Sequence, residues 1–457
     1  MPRTLLRPQE FVLDGYGQML VTIFTQISLC YTVPDGFQIS TVTDNLQRGL
    51  EILADHFPWL AGQVVREGVG EGSTGVFKIT PLVATPRMYV KDMMDGVVMP
   101  SFQDLGRTGY PMNDLDEKLI APRNTSSGWP GETVAEVFQL QVNMVKGGII
   151  ITFLGQHQCM DGVGQAQVIR LLSKACRGEE FTVEELEAGS RDQPEVMLSL
   201  NDDTWTQGPE LRYNTVKPPS AKEAGTPRPN GVWCHFSFSA ESLSCLKHAA
   251  TRTLPTTTPY ISTDDALSAF VWKAIMRARS PRLQGNERAL LARAVDVRKF
   301  VGIATMHPGF AQCMTYHDTF TIQQLVQSSL GVVAADLRAA IAPETSSLAY
   351  DARSLATLVS RTPDKSTLSL LGGDFDMARD VMINSWVNQN AYELDFGLGL
   401  GTPDVVRRPR FDAFQGLVYL LPKRQDGEIG VAVCLSEEDM LRLREDGEFS
   451  VLGKPVG

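Results

Sequence analysis

A two-domain α/β fold is what this sequence predicts, and three observations predict it. At 457 residues the chain exceeds what a single hydrophobic core usually fills. Strand-type and helix-type apolar patterns alternate along it, with no internal repeat or low-complexity tract. From about Asp202 to Gly231 the pattern lapses into a polar, Pro- and Gly-rich stretch that includes Lys217-Pro218-Pro219 and Pro227-Arg228-Pro229-Asn230-Gly231. That stretch reads as a crossover, which divides the chain into domains at 1–201 and 232–457 joined by 202–231.

The elements follow in order. Thr41 to Phe57 carries Val42, Leu46, Leu50, Leu53 and Ala54 at helical spacing, and Pro58 stops the pattern. Gly148 to Leu154 is β-branched and apolar, a buried strand that Gly155 is expected to end by freeing the backbone to turn. Val168 to Cys176 continues as a helix that Gly178 closes. Ser262-Thr263-Asp264-Asp265 supplies cap chemistry for a helix burying Leu267, Phe270, Val271 and Ile275. Asp426-Gly427 separates two apolar runs, Leu417 to Leu421 and Ile429 to Leu435, as a hairpin turn does, and Ser436 caps a last helix.

Composition narrows the function. A net charge of -11 argues against a nucleic-acid partner, because phosphate binding relies on clustered Lys and Arg; a local basic patch for an anionic cofactor stays open. No apolar stretch reaches membrane-spanning length and Met1 to Glu10 lacks the apolar core of a secretory signal, so the expectation is a cytoplasmic protein with no membrane partner. Cys30, Cys159, Cys176, Cys234, Cys245, Cys313 and Cys434 are odd in number and never C-x-x-C, which indicates reduced thiols. Asn124-Thr125-Ser126 fits a glycosylation site that a cytosolic chain does not use.

Gly155-Gln156-His157-Gln158-Cys159-Met160-Asp161-Gly162 is the richest segment chemically. His157 stands at a strand end, and histidine is the side chain whose ordinary pKa leaves it a usable base near neutrality. Gly162 and Gly164 make the following turn tight enough for close approach to a ligand. Spacing alone suggests an Asp161–His157 dyad, yet no G-x-S-x-G nucleophile elbow exists, so the nucleophile belongs to the substrate. Cys159, two residues from His157, is the other conceivable nucleophile and is not expected to act as one. The other histidines, His56, His235, His248, His307 and His317, show no pairing with acids that makes a metal site, and none is expected. Gly397-Leu398-Gly399-Leu400-Gly401 lacks the spacing of a nucleotide fingerprint.

His157-x-x-x-Asp161-Gly162 and, far downstream, Asp395-Phe396-Gly397-Leu398-Gly399 together resemble the H-x-x-x-D-G and D-F-G-W-G motifs of the BAHD acyltransferases. The likeness covers nearly the whole chain and is strongest to the fungal trichothecene 3-O-acetyltransferase branch, through Phe57 to Val64, Val168 to Arg177, Ser262 to Lys273, Arg293 to Asp296, Met314 to His317 and Asp395 to Pro409. Asn124 to Glu136, the crossover and Ala342 to Asp374 match less well and are expected to be loops. Leu398 replaces the usual Trp, in agreement with that branch, whereas Gly162 keeps the general motif where the branch can differ. Gln156 stands where related carrier-protein-dependent condensation domains have a second histidine.

The resemblance implies two chloramphenicol-acetyltransferase-like domains, each a mixed sheet with helices, with a solvent channel between them and His157 midway. It implies acetyl-CoA as co-substrate, a trichothecene or similar small alcohol as acceptor, direct transfer with His157 as general base, and a monomer. Within the family Asp161 pairs with an arginine, for which Arg298 is the candidate; Asp395, Phe396, Gly397 and Gly399 are architectural; and Ser385 is positioned to donate to the thioester oxygen. The alternatives are a transferase for another fungal secondary-metabolite alcohol or amine, and a non-catalytic homologue binding CoA or a terpenoid.

Overall fold

The computed structural model describes residues 10–19, 21–127, 134–190, 199–200, 202–216 and 231–457. Its strands form three sheets, and the two larger ones carry the site. The five-stranded sheet has the order Val405–Arg407, Phe24–Thr32, Gly148–Gln156, Phe138–Val145, Arg87–Met93. Gly148–Gln156, at its centre, is buried at every position, as a continuous apolar run requires of a strand covered on both faces. The strand runs two residues beyond the expected end, through Gly155, which pairs with Thr25 and Phe138. A Cβ there would lie 2.8 Å from Met160 Sδ, so the glycine serves close packing of the next loop and not a turn.

The seven-stranded sheet is drawn wholly from residues beyond 231, in the order Gln312–His317, Leu291–Asp296, Val381–Ser385, Leu417–Leu420, Ile429–Leu435, Val232–Phe238, Gly453–Val456. Leu417–Leu420 and Ile429–Leu435 are antiparallel neighbours across the turn at Gly427, whose φ of 88° suits a hairpin. One strand crosses between the halves: Val405–Arg407, late in the chain, pairs with Phe24–Thr32, setting Val406 opposite Leu29. The alternating helices and mixed sheets are the α/β architecture expected.

The helices cover these sheets as their apolar spacing dictates. Ile39–His56 buries Val42, Leu46, Leu50 and Leu53, and the chain tightens into a 3-10 turn at Pro58–Ala61. Gly162–Cys176 lies against it so closely that a Cβ on Gly49 would stand 2.3 Å from Cys176 Sγ. Thr263–Arg279 starts from a reciprocal cap between Ser262 and Asp265, and Glu437–Glu445 starts at Ser436, whose hydroxyl accepts from the Asp439 N–H. Between Ala342 and Asp374 the expected loop is in fact the helix Leu348–Arg361. Its buried Leu348, Ala352, Leu355, Ala356 and Val359 recur at helical spacing and pack with Tyr16 and Phe310, but two small alanines make that stripe weak in the sequence.

Part of the crossover, 217–230, lies outside the described residues, as do Met1 to Gln9. Residues 202–216 are packed on the later half: Tyr213 sits between the guanidinium groups of Arg212 and Arg288, at 4.9 and 5.5 Å, and the Val216 N–H donates to Thr367. All seven cysteines are free. Among the described residues no helix is long and apolar enough to cross a membrane.

The contact at Gly49 is testable. Alanine gains about 1 kcal/mol over glycine in a helix, but the added methyl overpacks against Cys176 at a cost of about 1–3 kcal/mol. Gly49→Ala is therefore expected to lower the urea midpoint; a raised midpoint means the two helices do not pack this closely.

Candidate active site

His157 follows the central strand in a turn tied down by its own N–H, which donates to the Ile23 carbonyl at 2.8 Å. Its Nδ1 lies 3.1 Å from the Met160 carbonyl. A carbonyl only accepts, so Nδ1 carries the proton and Nε2 keeps its lone pair. The ring is half-buried and packs at 5.2 Å from Phe310. Burial holds the His157 pKa below its ordinary value; the bond to Met160 and the charge of Asp161 oppose that shift, and the Arg408 cation adds to it.

Asp161 does not form the dyad that its spacing suggests. Its oxygens accept from Arg298 Nη1 and Nη2, each at 3.1 Å, and from the Gly164 and Ala311 N–H groups, each at 2.7 Å. Both side chains are almost wholly buried, Asp161 at 1% and Arg298 at 0% exposure. Burial pushes the Asp161 carboxyl up, but Arg298 and the two N–H donors together hold it below the usual carboxylate range. Arg298 also donates to the carbonyls of His307 at 3.0 Å and Gly309 at 2.7 Å, and to Asp296 at 2.8 Å. Gly164, expected to let a ligand approach, instead admits backbone: its Cβ would lie 2.3 Å from the Pro308 carbonyl oxygen.

The downstream motif is a clasp on the first half of the chain. Asp395 Oδ1 accepts from the Gly397 N–H at 2.8 Å, and Arg177 donates to the Asp395 carbonyl. Asn45 Nδ2 donates to the carbonyls of Phe396 and Gly397, at 2.8 and 3.0 Å. Phe396, fully buried, stacks on Phe153 of the central strand at 5.6 Å. Gly397 and Gly399 adopt φ of 65° and 77°, which L side chains rarely enter.

A cavity of about 1050 Å³ adjoins the loop at Asp161 and Gly162, without including His157 in its walls. Two helix starts face it, Gly162–Cys176 and Thr263–Arg279. Exposed Lys247, Lys299 and Lys423 line it, and among the described residues none of the three makes an ion pair. They stand on separate segments, and no local pattern announces them. Ser385, expected to donate to the thioester oxygen, lines the cavity, but its single hydroxyl proton goes to Asp264, which in turn accepts from Arg293 at 2.5 Å. In this arrangement Ser385 offers the cavity lone pairs rather than the donor that an oxyanion needs. Asp264, read from sequence only as a first-turn acid, is thus part of the wall. Cys159 is fully buried in the core. Among the described residues no three His, Cys, Asp or Glu side chains converge to hold a metal ion.

Two family models match this chain: the Transferase family over residues 104–450, and the trichothecene 3-O-acetyltransferase-like N-terminal domain over residues 23–176. The chain is 44% identical to an O-acetyltransferase of Cryptosporiopsis over 98% of its own length and 99% of that protein's. It is 42% identical to the trichothecene 3-O-acetyltransferase of Fusarium sporotrichioides, over 98% and 97%. It is also similar to a solved Fusarium graminearum structure complexed with coenzyme A and deoxynivalenol, with a TM-score of 0.93 at 42% identity, covering 98% of this chain and 100% of that one.

The two motif aspartates differ in what they hold, and so in what their loss costs. Asp161→Ala strands a buried arginine and uncaps a helix, a loss of about 3–5 kcal/mol. Asp395→Ala removes one neutral-donor bond near the surface, about 1 kcal/mol. Urea unfolding of both variants checks the ordering; equal losses contradict it.

Proposed function

This chain belongs to the Transferase family of BAHD acyltransferases, and from that membership we propose that it is an acetyl-CoA-dependent O-acetyltransferase acting on the C-3 hydroxyl of trichothecene sesquiterpenoids. One observation carries the chemistry: His157 is held with Nδ1 bonded to the Met160 carbonyl, which leaves Nε2 free to accept a proton.

His157 Nε2 takes the acceptor's hydroxyl proton as the oxygen bonds to the acetyl carbon. As the carbon–sulfur bond breaks, the same nitrogen returns that proton to the departing thiolate, so no acyl-enzyme is required. Asp161 has a positioning role, because all its contacts hold the loop and none reaches the imidazole ring. The Asp395–Gly399 clasp is architectural. The cavity fits the co-substrate: two helix starts and three unpaired lysines suit phosphate groups in an otherwise acidic protein.

The acceptor assignment is supported by the Fusarium relative's name and by the deoxynivalenol in the Fusarium graminearum complex. A second reading, another fungal secondary-metabolite alcohol, is supported by the Cryptosporiopsis relative, which is named only as an O-acetyltransferase. In either case the protein acts as a cytoplasmic monomer in secondary metabolism or toxin detoxification, with acyltransferase domains at 1–201 and 232–457. The seven-stranded sheet, drawn wholly from beyond residue 231, supports that division.

Thiol release from acetyl-CoA with a 3-hydroxy trichothecene, with the product's acetylated position mapped by NMR, tests the reading. His157→Ala is expected to lose roughly 10²–10⁴-fold in kcat/KM; an unchanged rate removes His157 as base. Turnover with other alcohols only would move the acceptor to the second reading. Only neutral imidazole accepts a proton, and burial holds its pKa below the ordinary 6.5 or so. The acid limb of kcat/KM should therefore lie below pH 6.5, with activity flat through neutrality.

A further inference from the structure

Tyr260 stands in the loop between the Ala240–Thr251 and Thr263–Arg279 helices, 55% exposed. A single exposed aromatic is ordinary on a protein surface, but this ring is held in place. The Arg338 guanidinium lies over it, 5.0 Å from the ring centroid, and Arg338 is itself fixed by an ion pair to fully buried Asp265. Asp265 also accepts from the Ser262 N–H at 2.8 Å and from Arg293 at 3.0 Å, so the support under the ring is a buried, fully engaged network. With one face covered by Arg338, so large an exposure leaves the opposite face open. The result is a rigid aromatic shelf.

The shelf belongs to the rim of the cavity. Arg338, which carries it, lines the cavity, and so do Ser262 and Thr263, just after Tyr260 in the chain. Three helices pack on one another there, Ala240–Thr251, Thr263–Arg279 and Leu330–Ala339, and the first of them adds Ser244 and Lys247 to the cavity wall. A flat ring open on one side takes a flat partner. Because a cation already sits on its other face, a second cation is disfavoured and an uncharged base is suited. Lys247 makes no ion pair among the described residues, so the same wall has a cation to offer a phosphate. A base joined to phosphates is the nucleotide end of an acyl-CoA, whose adenine is its one aromatic group.

We propose that the adenine of acetyl-CoA stacks on the open face of Tyr260, which places the nucleotide end of the donor at this rim. This rests on the acetyl-CoA reading above. The contact involves none of the reacting atoms, so its effect falls on donor binding and not on the transfer step.

Two acetyl donors test it, with the 3-hydroxy trichothecene as acceptor: acetyl-CoA, and S-acetyl-4′-phosphopantetheine, which carries the same thioester and lacks the adenine nucleotide. The wild-type protein should prefer acetyl-CoA in kcat/KM. Tyr260→Ala should cut that preference roughly five- to hundredfold, through KM, the effect of one base–aromatic stack. Tyr260→Phe, which keeps the ring face, should retain it. A wild-type ratio near one overturns the proposal without any variant. A smaller cut in Tyr260→Ala also overturns it, and so do equal losses on both donors, since that is what a purely structural role gives. A Tyr260→Phe ratio as low as that of Tyr260→Ala assigns the effect to the hydroxyl and overturns the stack. Absence of turnover with both donors in the wild-type protein overturns the acetyl-CoA reading, and this contact with it.

Discussion

The buried ion pair between Asp161 and Arg298 is the constraint on which the rest of the site depends. Each charge taken from water costs several kcal/mol, a penalty repaid only by good geometry and additional hydrogen bonds. Here the carboxylate receives four N–H donors, two from Arg298 and one each from Gly164 and Ala311. The guanidinium is filled by three further acceptors, His307, Gly309 and Asp296. Every one of these partners is itself backbone or a fixed side chain. The pair therefore fixes the start of the Gly162–Cys176 helix against the 307–311 segment, and the His157 turn has no freedom of its own between that helix and the central strand.

A second set of contacts ties distant parts of the chain to the same strand. Val405–Arg407 adds an edge strand beside Phe24–Thr32, which is in turn the neighbour of Gly148–Gln156. Ten residues earlier, Phe396 stacks on Phe153 of that same central strand while Asn45 and Arg177 hold its loop from the Ile39–His56 helix and the end of the Gly162–Cys176 helix. The motif at Asp395 thus works through its backbone and its phenylalanine. Its carboxylate only shapes its own turn, which is why it stands clear of the cavity although its motif accompanies the histidine motif in sequence.

The main elements were legible because they rest on local rules. The Ile39–His56 period, the Ser262 cap, the Gly427 hairpin and the strand before His157 need only neighbours a few residues apart. What the sequence left out depends on packing that residue spacing does not show, much of it between segments far apart along the chain. Gly155 and Gly164 look like turn formers, yet each is glycine because Met160 or Pro308 occupies the space a Cβ would take. Asp161 and His157 look like a dyad by spacing; the family resemblance points to Arg298 as the partner of Asp161 instead, and what only the fold reveals is that the Gly164 and Ala311 N–H groups share the carboxylate with it. The unpaired lysines of the cavity come from three separate segments and carry no local mark. Ser385 could be placed on the wall from family resemblance, but the direction of its proton is set by Asp264, more than a hundred residues away.

The ion pair also bears on the chemistry at His157. A bare carboxylate four residues from an imidazole in a dry site would raise its pKa and favour the protonated form, which cannot take a proton from an alcohol. Arg298 offsets that charge within hydrogen-bond distance, so burial becomes the larger influence and keeps the ring neutral. Arg408 acts in the same direction. It is 2% exposed, makes no ion pair among the described residues, and lies over Phe411, Tyr419 and Trp386 at 4.1, 4.9 and 5.8 Å. Ring faces stabilise a guanidinium without neutralising it, so its field persists where a carboxylate partner would have cancelled it. A direct transfer needs a base that is neutral before the alcohol arrives and willing to give the proton up afterwards. On the proposed mechanism, a paired aspartate and an unpaired arginine supply that balance without either one touching the imidazole ring.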